Sequence, residues 1–178
     1  LEGVERAAEA ARELGEVDVL VNNAGFGLRK PLLEHSDEEL VGMLMVNFVA
    51  PIALTRRLLP LMRRGSTVVN VVTGGIHVLM AGLPAYGASK IALHYATEAM
   101  RRELRERGVR LVAVYPGYVA TAFHERAGSA PARFARPVPP ERVARAILDA
   151  VERGRERVYV PGYVALLRVL GPHLPPVG

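Results

Sequence analysis

A tyrosine and a lysine stand one helical turn apart in the stretch "LPAYGASKIAL", where three small residues separate Tyr86 from Lys90. Side chains at positions i and i+4 share one face of a helix. A free tyrosine has a pKa of about 10, and a neighbouring ammonium favours the phenolate and lowers that pKa. Such a pair is suited to pass a proton to or from an alcohol or carbonyl oxygen. The spacing alone is weak evidence, because chance also produces such pairs.

Two more polar residues are candidates to hold an oxygen atom. Asn47 falls inside a predicted helix, and Pro51 has no backbone N–H to bond the Asn47 carbonyl. We therefore expect a kink there, with a free carbonyl that could hold a water molecule. Thr73 closes an apolar strand before two glycines, and its hydroxyl could donate to a substrate oxygen. The alternatives are a solvent-facing Asn47 at a tolerated kink and a Thr73 hydroxyl that only caps the strand.

The elements that must position these residues alternate between strand and helix. Apolar, β-branched stretches predict buried strands at 17–25, 66–75, 109–117 and 157–162. Amphipathic or capped segments predict helices at 1–14, 36–64, 84–107 and 139–154. This alternation predicts an α/β fold with a parallel sheet, in which ligands bind beyond the carboxyl ends of the strands. Asn22, Asn23 and Thr73 come at those ends.

Composition narrows the function further. The chain has 178 residues and no cysteine, so we expect a single domain without disulfides. Arginines and glutamates alternate along the chain, which favours a solvated surface over nucleic-acid binding. A charged N-terminus gives no sign of a signal peptide, and we expect a cytoplasmic protein with no metal and no transmembrane segment. The stretch "YVALLRVL" is too short to span a bilayer. A core or subunit contact is favoured for it over a membrane surface or a substrate contact.

Four motifs occur in a characteristic order: "NNAG" at 22–25, "VN" at 46–47, "YGASK" at 86–90 and "PGYVAT" at 116–121. In order and spacing they resemble the classical short-chain dehydrogenase/reductase family, over nearly the whole chain. The resemblance implies a Rossmann-like, doubly wound parallel sheet in three α/β/α layers. It also implies hydride transfer between NAD or NADP and a small-molecule alcohol or carbonyl.

The resemblance assigns a catalytic role to four residues. Tyr86 matches the acid/base, and Lys90 matches the residue that lowers its pKa and binds the nicotinamide ribose. Asn47 matches the asparagine whose carbonyl anchors a water in the proton relay. Thr73 stands where the family has a catalytic serine, a departure that keeps the hydroxyl and adds a methyl group. Residues implied to contact the cofactor, besides Tyr86 and Lys90, are Asn23, Ala24, Gly25, Pro116, Gly117, Val119 and Thr121.

A larger departure concerns the front of the fold. The family opens with a strand and a glycine-rich turn that seats the pyrophosphate, and neither precedes Leu1. We therefore expect residues 1–178 to form a single, partial domain without the N-terminal strands. The "VDVLVNNAG" strand should then have a bare edge and partly bare faces. The residue that would choose between NAD and NADP is also missing.

The implied substrate side is mostly apolar, which favours a lipophilic substrate. It comprises "GGIHVLMAGLP" at 74–84 together with Phe26, Tyr118, Phe123 and His124. His77 is either polar lining or an exposed loop histidine. A substrate loop is expected at about 118–139, and its part at 120–137 is expected to act as a lid. For its arginines, Arg126, Arg133 and Arg136, a solvated role is favoured over attraction of an acidic substrate tail.

Two aspects of the whole protein stay open. In the family, helices 36–64 and 84–107 form subunit contacts, which implies a homodimer or homotetramer. The rival functions are a non-catalytic or truncated module with this fold, and a related epimerase or dehydratase that shares the Tyr-Lys pair.

Overall fold

The computed structural model describes residues 1–128 and 137–176. In this part of the chain, four strands form one parallel sheet in the order β1-β2-β3-β4. The strands are β1 (Val19–Asn22), β2 (Thr67–Val71), β3 (Arg110–Pro116) and β4 (Arg157–Val160). Asn22 pairs with Asn70 across β1 and β2, so the carboxyl ends of these strands meet at one edge. The predicted α/β fold is confirmed, although each strand is shorter than predicted.

Helices connect the strands, as the alternation predicted. They are α1 (Glu2–Leu14), α2 (Asp37–Leu44), α3 (Ala50–Leu58), α4 (Pro84–Glu106), α5 (Phe123–Ala127), α6 (Pro140–Arg153) and α7 (Leu167–Leu170). The predicted capping box opens α2, where the Ser36 side chain accepts from the Glu39 backbone and the Glu39 side chain accepts from the Ser36 backbone. The stretch predicted to end the second strand is different: Gly74–His77 form a 3₁₀ turn instead.

Helices cover both faces of the sheet, which gives three layers. On one face, Val69, Val112 and Val114 pack in a buried cluster with Val143 and Ala150 of α6. The opposite face buries a second cluster contributed by α1, α3 and α4: Ala8, Leu20, Leu58, Val68, Leu104, Val109 and Leu111. Both clusters consist of aliphatic side chains, as expected for strands buried on two sides.

Strand β1 is less covered than its neighbours. Leu20 is buried, whereas Val19 and Val21 are each more than 40% exposed because they point to the other face of the sheet. One face of β1 is therefore covered and the other is partly bare. The prediction that both faces of this strand would be partly bare is therefore wrong for the face that carries Leu20.

A continuous helical segment runs from Asp37 to Leu61, and by length and composition it could cross a membrane. In the structure it packs against α1 and α4. A five-residue π-helical turn, Met45–Val49, interrupts it between α2 and α3. Such turns are frequent at functional sites, and this one carries Asn47.

Candidate active site

Tyr86 and Lys90 lie side by side in the first two turns of α4. The Lys90 ammonium nitrogen is 5.9 Å from the centroid of the Tyr86 ring. Lys90 is only 3% exposed, and its Nζ donates to the Val71 carbonyl at 2.9 Å, at the carboxyl end of β2. The predicted juxtaposition of phenol and ammonium at this edge of the sheet is therefore present.

The protonation of this pair differs from the sequence-based expectation. Burial raises the pKa of the Tyr86 phenol, and a hydrogen bond with the Thr73 side chain opposes that rise only in part. Burial also lowers the pKa of Lys90 to about 8, because its charged form loses solvation. In the chain by itself the pKa of Tyr86 therefore lies above its ordinary value because of burial. The role of Lys90 in lowering that pKa stays a prediction. At neutral pH the phenol keeps its proton.

Asn47 is fully buried, so the alternative of a solvent-facing side chain is wrong. Its Nδ2 donates to the Phe26 carbonyl at 2.8 Å and to Ser89 Oγ at 2.9 Å, and its Oδ1 accepts from the Phe26 N–H at 3.0 Å. The side chain thus fixes the backbone that follows "NNAG". Instead of a simple kink, the helix forms the π turn, an irregularity expected where Pro51 removes a backbone donor.

Thr73 connects three parts of the site. Its Oγ1 accepts from the Gly75 N–H at 3.2 Å and so caps the 3₁₀ turn. The same hydroxyl lies 3.4 Å from the Pro116 carbonyl, to which it donates. The Thr73 side chain also acts on the Tyr86 phenol, whose pKa it lowers against the effect of burial. Donation from Thr73 to a substrate oxygen stays a prediction.

The "NNAG" turn approaches these residues through Gly25. A Cβ atom at Gly25 would lie 2.9 Å from Asn47 Oδ1 and 3.4 Å from Lys90 Nζ, so a side chain there would fill the space beside both. Asn23 and Ala24 are exposed at the same edge. The structure therefore brings Gly25, Asn47 and Lys90 into one cluster and leaves Asn23 and Ala24 at its rim.

The "PGYVAT" segment follows the carboxyl end of β3. Pro116 is buried, and the Gly117 N–H donates to the Val160 carbonyl at 2.8 Å. Val119 forms an isolated parallel bridge with Val138. Thr121 is exposed, and its Oγ1 accepts from the Phe123 N–H at 3.4 Å. This segment borders the cluster through Pro116, whereas Val119 and Thr121 lie further along it.

Aromatic residues meet Tyr86 on the predicted substrate side. The Phe123 ring, on α5, is 5.0 Å from the Tyr86 ring at an angle of 52°. A Cβ atom at Gly27 would lie 3.1 to 3.2 Å from atoms of both side chains, so glycine fits here without displacing either of them. Tyr118 and His124 also pack together, with ring centroids 4.2 Å apart.

The predicted lid is attached to the loop after β1. The Arg29 N–H donates to the Ala127 carbonyl at 2.7 Å, which joins that loop to the end of α5. Arg126 is exposed, whereas Arg133 and Arg136 lie outside the described residues.

His77 is partly buried, so the exposed-loop alternative is wrong for it. Its Nε2 lies 3.4 Å from the Tyr159 hydroxyl. His94 Nδ1 lies 2.9 Å from the Tyr115 hydroxyl in the same cluster of rings. Burial lowers the pKa of both histidines, so they are mainly neutral at pH 7. This cluster links the 3₁₀ turn to β3, β4 and α4.

Sequence reasoning missed a buried amide network under the site. Asn22 Nδ2 donates to Asn70 Oδ1 at 2.8 Å, and Asn70 Nδ2 donates to Thr97 Oγ1 at 2.9 Å. The signal was present in "TVVNVV", where an asparagine interrupts an apolar strand. A buried amide needs partners, so Asn70 indicated a second polar residue on a neighbouring element.

The cluster suits a ligand rich in hydroxyl groups. An ammonium has three donors. In the part of the chain that the structure describes, Lys90 Nζ uses one of them, on Val71. Gly25 approaches that nitrogen without a side chain, since a Cβ atom there would lie 3.4 Å from it. The two remaining donors fit ribose hydroxyls, so the residues present are compatible with the nicotinamide ribose implied by the resemblance.

Comparison with known proteins identifies the family. A family model described as "short chain dehydrogenase" matches residues 2–132. The chain belongs to the short-chain dehydrogenase family. This short-chain dehydrogenase is 34% identical over 185 residues to dehydrogenase/reductase SDR family member 7B of Xenopus laevis, covering 95% of this chain and 57% of that protein. It is 36% identical over 151 residues to the ketoacyl reductase HetN of Nostoc sp., a match that covers 83% of this chain and 52% of that protein.

A solved structure agrees with the family assignment. A short-chain dehydrogenase from Burkholderia cenocepacia in complex with NADP superimposes with a TM-score of 0.78 at 26% identity, covering 92% of this chain and 70% of that one. The predicted Rossmann-type fold is thus confirmed. This short-chain dehydrogenase spans a little more than half the length of the curated relatives it matches.

Proposed function

We propose that this short-chain dehydrogenase interconverts an alcohol and a carbonyl group with NAD or NADP. One observation carries the proposal. Tyr86, Thr73, Lys90 and Asn47 come from three separate elements and meet at the carboxyl end of β2. That edge is where open α/β sheets bind their ligands.

The proposed steps use the protonation found in the site. In the reducing direction the Tyr86 phenol, which is neutral at pH 7, donates its proton to the carbonyl oxygen. The Thr73 hydroxyl, within hydrogen-bond reach of the phenol, donates to the same oxygen and holds it in place. The Lys90 ammonium stabilises the phenolate that forms. In the oxidising direction the phenolate takes the proton back from the alcohol.

The dinucleotide would be held by the two free Lys90 donors, by the "NNAG" turn around Gly25 and by Pro116, Gly117, Val119 and Thr121. When bound, it supplies or accepts the hydride. Support for this role comes from the NADP complex of the Burkholderia relative and from the fit of Lys90 to ribose hydroxyls. The Asn47 carbonyl is proposed to hold a water molecule that returns protons to the site.

We propose a lipophilic substrate. The phenol is flanked by Phe123 and by the small residue Gly27, and Met80 packs against Gly75 and Gly87. Apolar walls with a few convergent polar groups are typical of sites for apolar small molecules. A named ketoacyl reductase among the relatives is consistent with such a substrate.

The test is to replace Tyr86 by phenylalanine in the full chain. Loss of the proposed acid/base should lower kcat by about 10²- to 10⁴-fold on a panel of lipophilic alcohols and ketones. Cofactor affinity, measured by fluorescence titration with NADPH and NADH, should change little. Tyr95→Phe on the exposed side of the same helix is the matched control and should keep full activity.

Unchanged rates in Tyr86→Phe would show that this tyrosine is not the acid/base. Cofactor binding by the wild type without turnover on any panel member would support a non-catalytic module.

We also propose a cytoplasmic homo-oligomer that associates through α2 and α4. These two helices are in contact, and both expose apolar side chains: Val41 and Leu44 on α2, and Ile91 and Tyr95 on α4. A surface of this kind on a soluble domain commonly marks an interface between subunits.

A further inference from the structure

The last described helical turns of the chain have their apolar side chains on the outside. Gly162–Leu166 form a 3₁₀ helix, α7 follows, and Gly171–His173 form a second 3₁₀ turn. Five side chains of this stretch are 44% to 73% exposed, and we call them the C-terminal ridge: Tyr163, Leu166, Val169, Leu170 and Leu174. The spacing of three to four residues places most of them along one side of the helical turns.

The inner side of the same stretch is fixed to the active-site edge. Val164 is buried, and a Cβ atom at Gly74 would lie 2.1 Å from its Cγ1. A Cβ atom at Gly171 would lie 1.8 Å from the His77 carbonyl oxygen. These close approaches leave no space for the ridge to turn inward. Its exposure is therefore a property of the packed fold and not of a loose end.

The side chains of this stretch include cations but no carboxylates. Residues 158–178 contain no aspartate or glutamate, and their ionisable side chains besides tyrosine are Arg168 and His173. Arg168 is exposed and forms no ion pair with a carboxylate among residues 1–128 and 137–176. An apolar face that carries a cation and no acid is complementary to an anionic lipid surface.

We propose that the C-terminal ridge docks on an anionic lipid bilayer. The ridge would insert its aliphatic side chains at the depth of the headgroups, with Tyr163 at the boundary and Arg168 on a lipid phosphate. A second copy of the chain fits this surface less well. A two-fold contact brings the same patch together from both subunits, so each Arg168 would face a patch that offers no carboxylate.

Docking would also place the catalytic cleft at the membrane. Through Val164 the ridge is packed on Gly74, the residue that follows Thr73. An apolar substrate could then pass from the bilayer to the phenol without crossing water. This consequence rests on the proposed function, whereas binding to lipid can be measured without substrate and is independent of turnover.

The experiment is flotation of the full chain with vesicles of phosphatidylcholine, with and without phosphatidylglycerol. We expect the wild type to float with both, and more strongly with the anionic vesicles. Leu166→Ser combined with Leu170→Ser should lower the partition coefficient by about tenfold or more, because several buried methylene groups are lost. Leu33→Ser combined with Leu148→Ser is the matched control, since both of these leucines are exposed on other elements.

Arg168→Gln tests the charge without touching the apolar contact. It should lower binding to phosphatidylglycerol vesicles by about fivefold and leave binding to phosphatidylcholine nearly unchanged. It also keeps the proposal testable if the double serine variant fails to fold, which circular dichroism would show.

Three results would overturn the proposal. The first is a wild type that floats with neither kind of vesicle. The second is an equal loss of binding in the Leu33 and Leu148 control. The third is a ridge variant that still floats but sediments as a smaller species than the wild type, since that outcome assigns the ridge to a subunit contact.

Discussion

At the scale of single residues, the site is dominated by the cost of burying charge. Lys90 keeps an amino group almost out of water with one carbonyl as its partner, and its pKa falls to about 8 from an ordinary 10.5. Tyr86 keeps its proton for the same reason. Both pKa shifts favour the neutral forms. In the chain without ligand, the Tyr86 phenol therefore carries the proton that it is proposed to donate.

The first prediction concerns Lys90 and pH. Between about pH 8 and 10.5 the unfolded chain binds the Lys90 proton and the native chain has released it, so the free energy of unfolding should rise with pH. Relative to Lys90→Met, the wild type should gain up to about 3 kcal/mol across that window. Urea unfolding of both proteins at several pH values measures this. A difference that does not change with pH would show that Lys90 titrates normally.

The second prediction concerns the Asn47 side chain. Asn47→Leu has a similar volume but leaves the Phe26 N–H and carbonyl and the Ser89 hydroxyl without their amide partner. The free energy of unfolding should fall by about 2–4 kcal/mol, measured by urea denaturation. Asn23→Leu, at an exposed position of the adjacent turn, should change it by less than about 0.5 kcal/mol. Equal effects in the two variants would contradict the clamp assigned to Asn47.

At the scale of elements, the C-terminal helical turns support the active-site edge from behind. Val164 fits between Gly74 and Gly117, where a Cβ atom would lie 2.1 Å and 3.2 Å from its methyl groups. Gly74 follows Thr73 and Gly117 follows Pro116. Two segments of the site are thus positioned by one residue that the motifs do not include.

The third prediction tests that support. Gly74→Ala should destabilise the chain by about 1–3 kcal/mol through overpacking against Val164. Val164→Ala opens space for the added methyl group. The variant with both substitutions should therefore lose about 1 kcal/mol less free energy of unfolding than the two single variants lose together, measured by thermal or urea unfolding. Gly162→Ala is the control, because nothing lies within 4 Å of its added methyl group. Strictly additive effects would refute the contact.

At the scale of the whole molecule, two of the surfaces that expose apolar side chains are assigned a partner. One is the surface of α2 and α4, and the other is the C-terminal ridge. The first consists of exposed side chains on α2 and α4 and is assigned to a second copy of the chain. The second carries Arg168, which forms no ion pair with any carboxylate that the structure describes, and is assigned to lipid. The two assignments predict different results for substitutions on each surface.

The fourth prediction addresses assembly. Ile91→Glu combined with Tyr95→Glu should convert a dimer or tetramer into a smaller species in sedimentation velocity, because each buried charge opposes association. Leu148→Glu on α6 should leave the species unchanged. A monomeric wild type, or a double variant that sediments as the wild type does, would refute the interface.

The sequence by itself determined the fold class and predicted which residues meet at the carboxyl end of β2. The apolar strand patterns "VDVLVNNAG", "STVVNVVTGG" and "VRLVAVYPG" alternate along the chain with helical patterns, and both kinds of pattern depend only on local geometry. The i, i+4 spacing of Tyr86 and Lys90 likewise fixed a shared helix face. The break at Pro51 was foreseen because a missing N–H is a property of one residue, although its form as a π turn was not.

Only the tertiary structure decided the direction of the Tyr86 pKa and the contacts of the Asn47 and Thr73 side chains. It also decided the pairing of Asn22 with Asn70 and the outward orientation of the C-terminal ridge. Each of these depends on which distant segments remove water from a group or supply its partner. Solvation and long-range packing are set by the whole fold, so no local pattern in the chain could determine them.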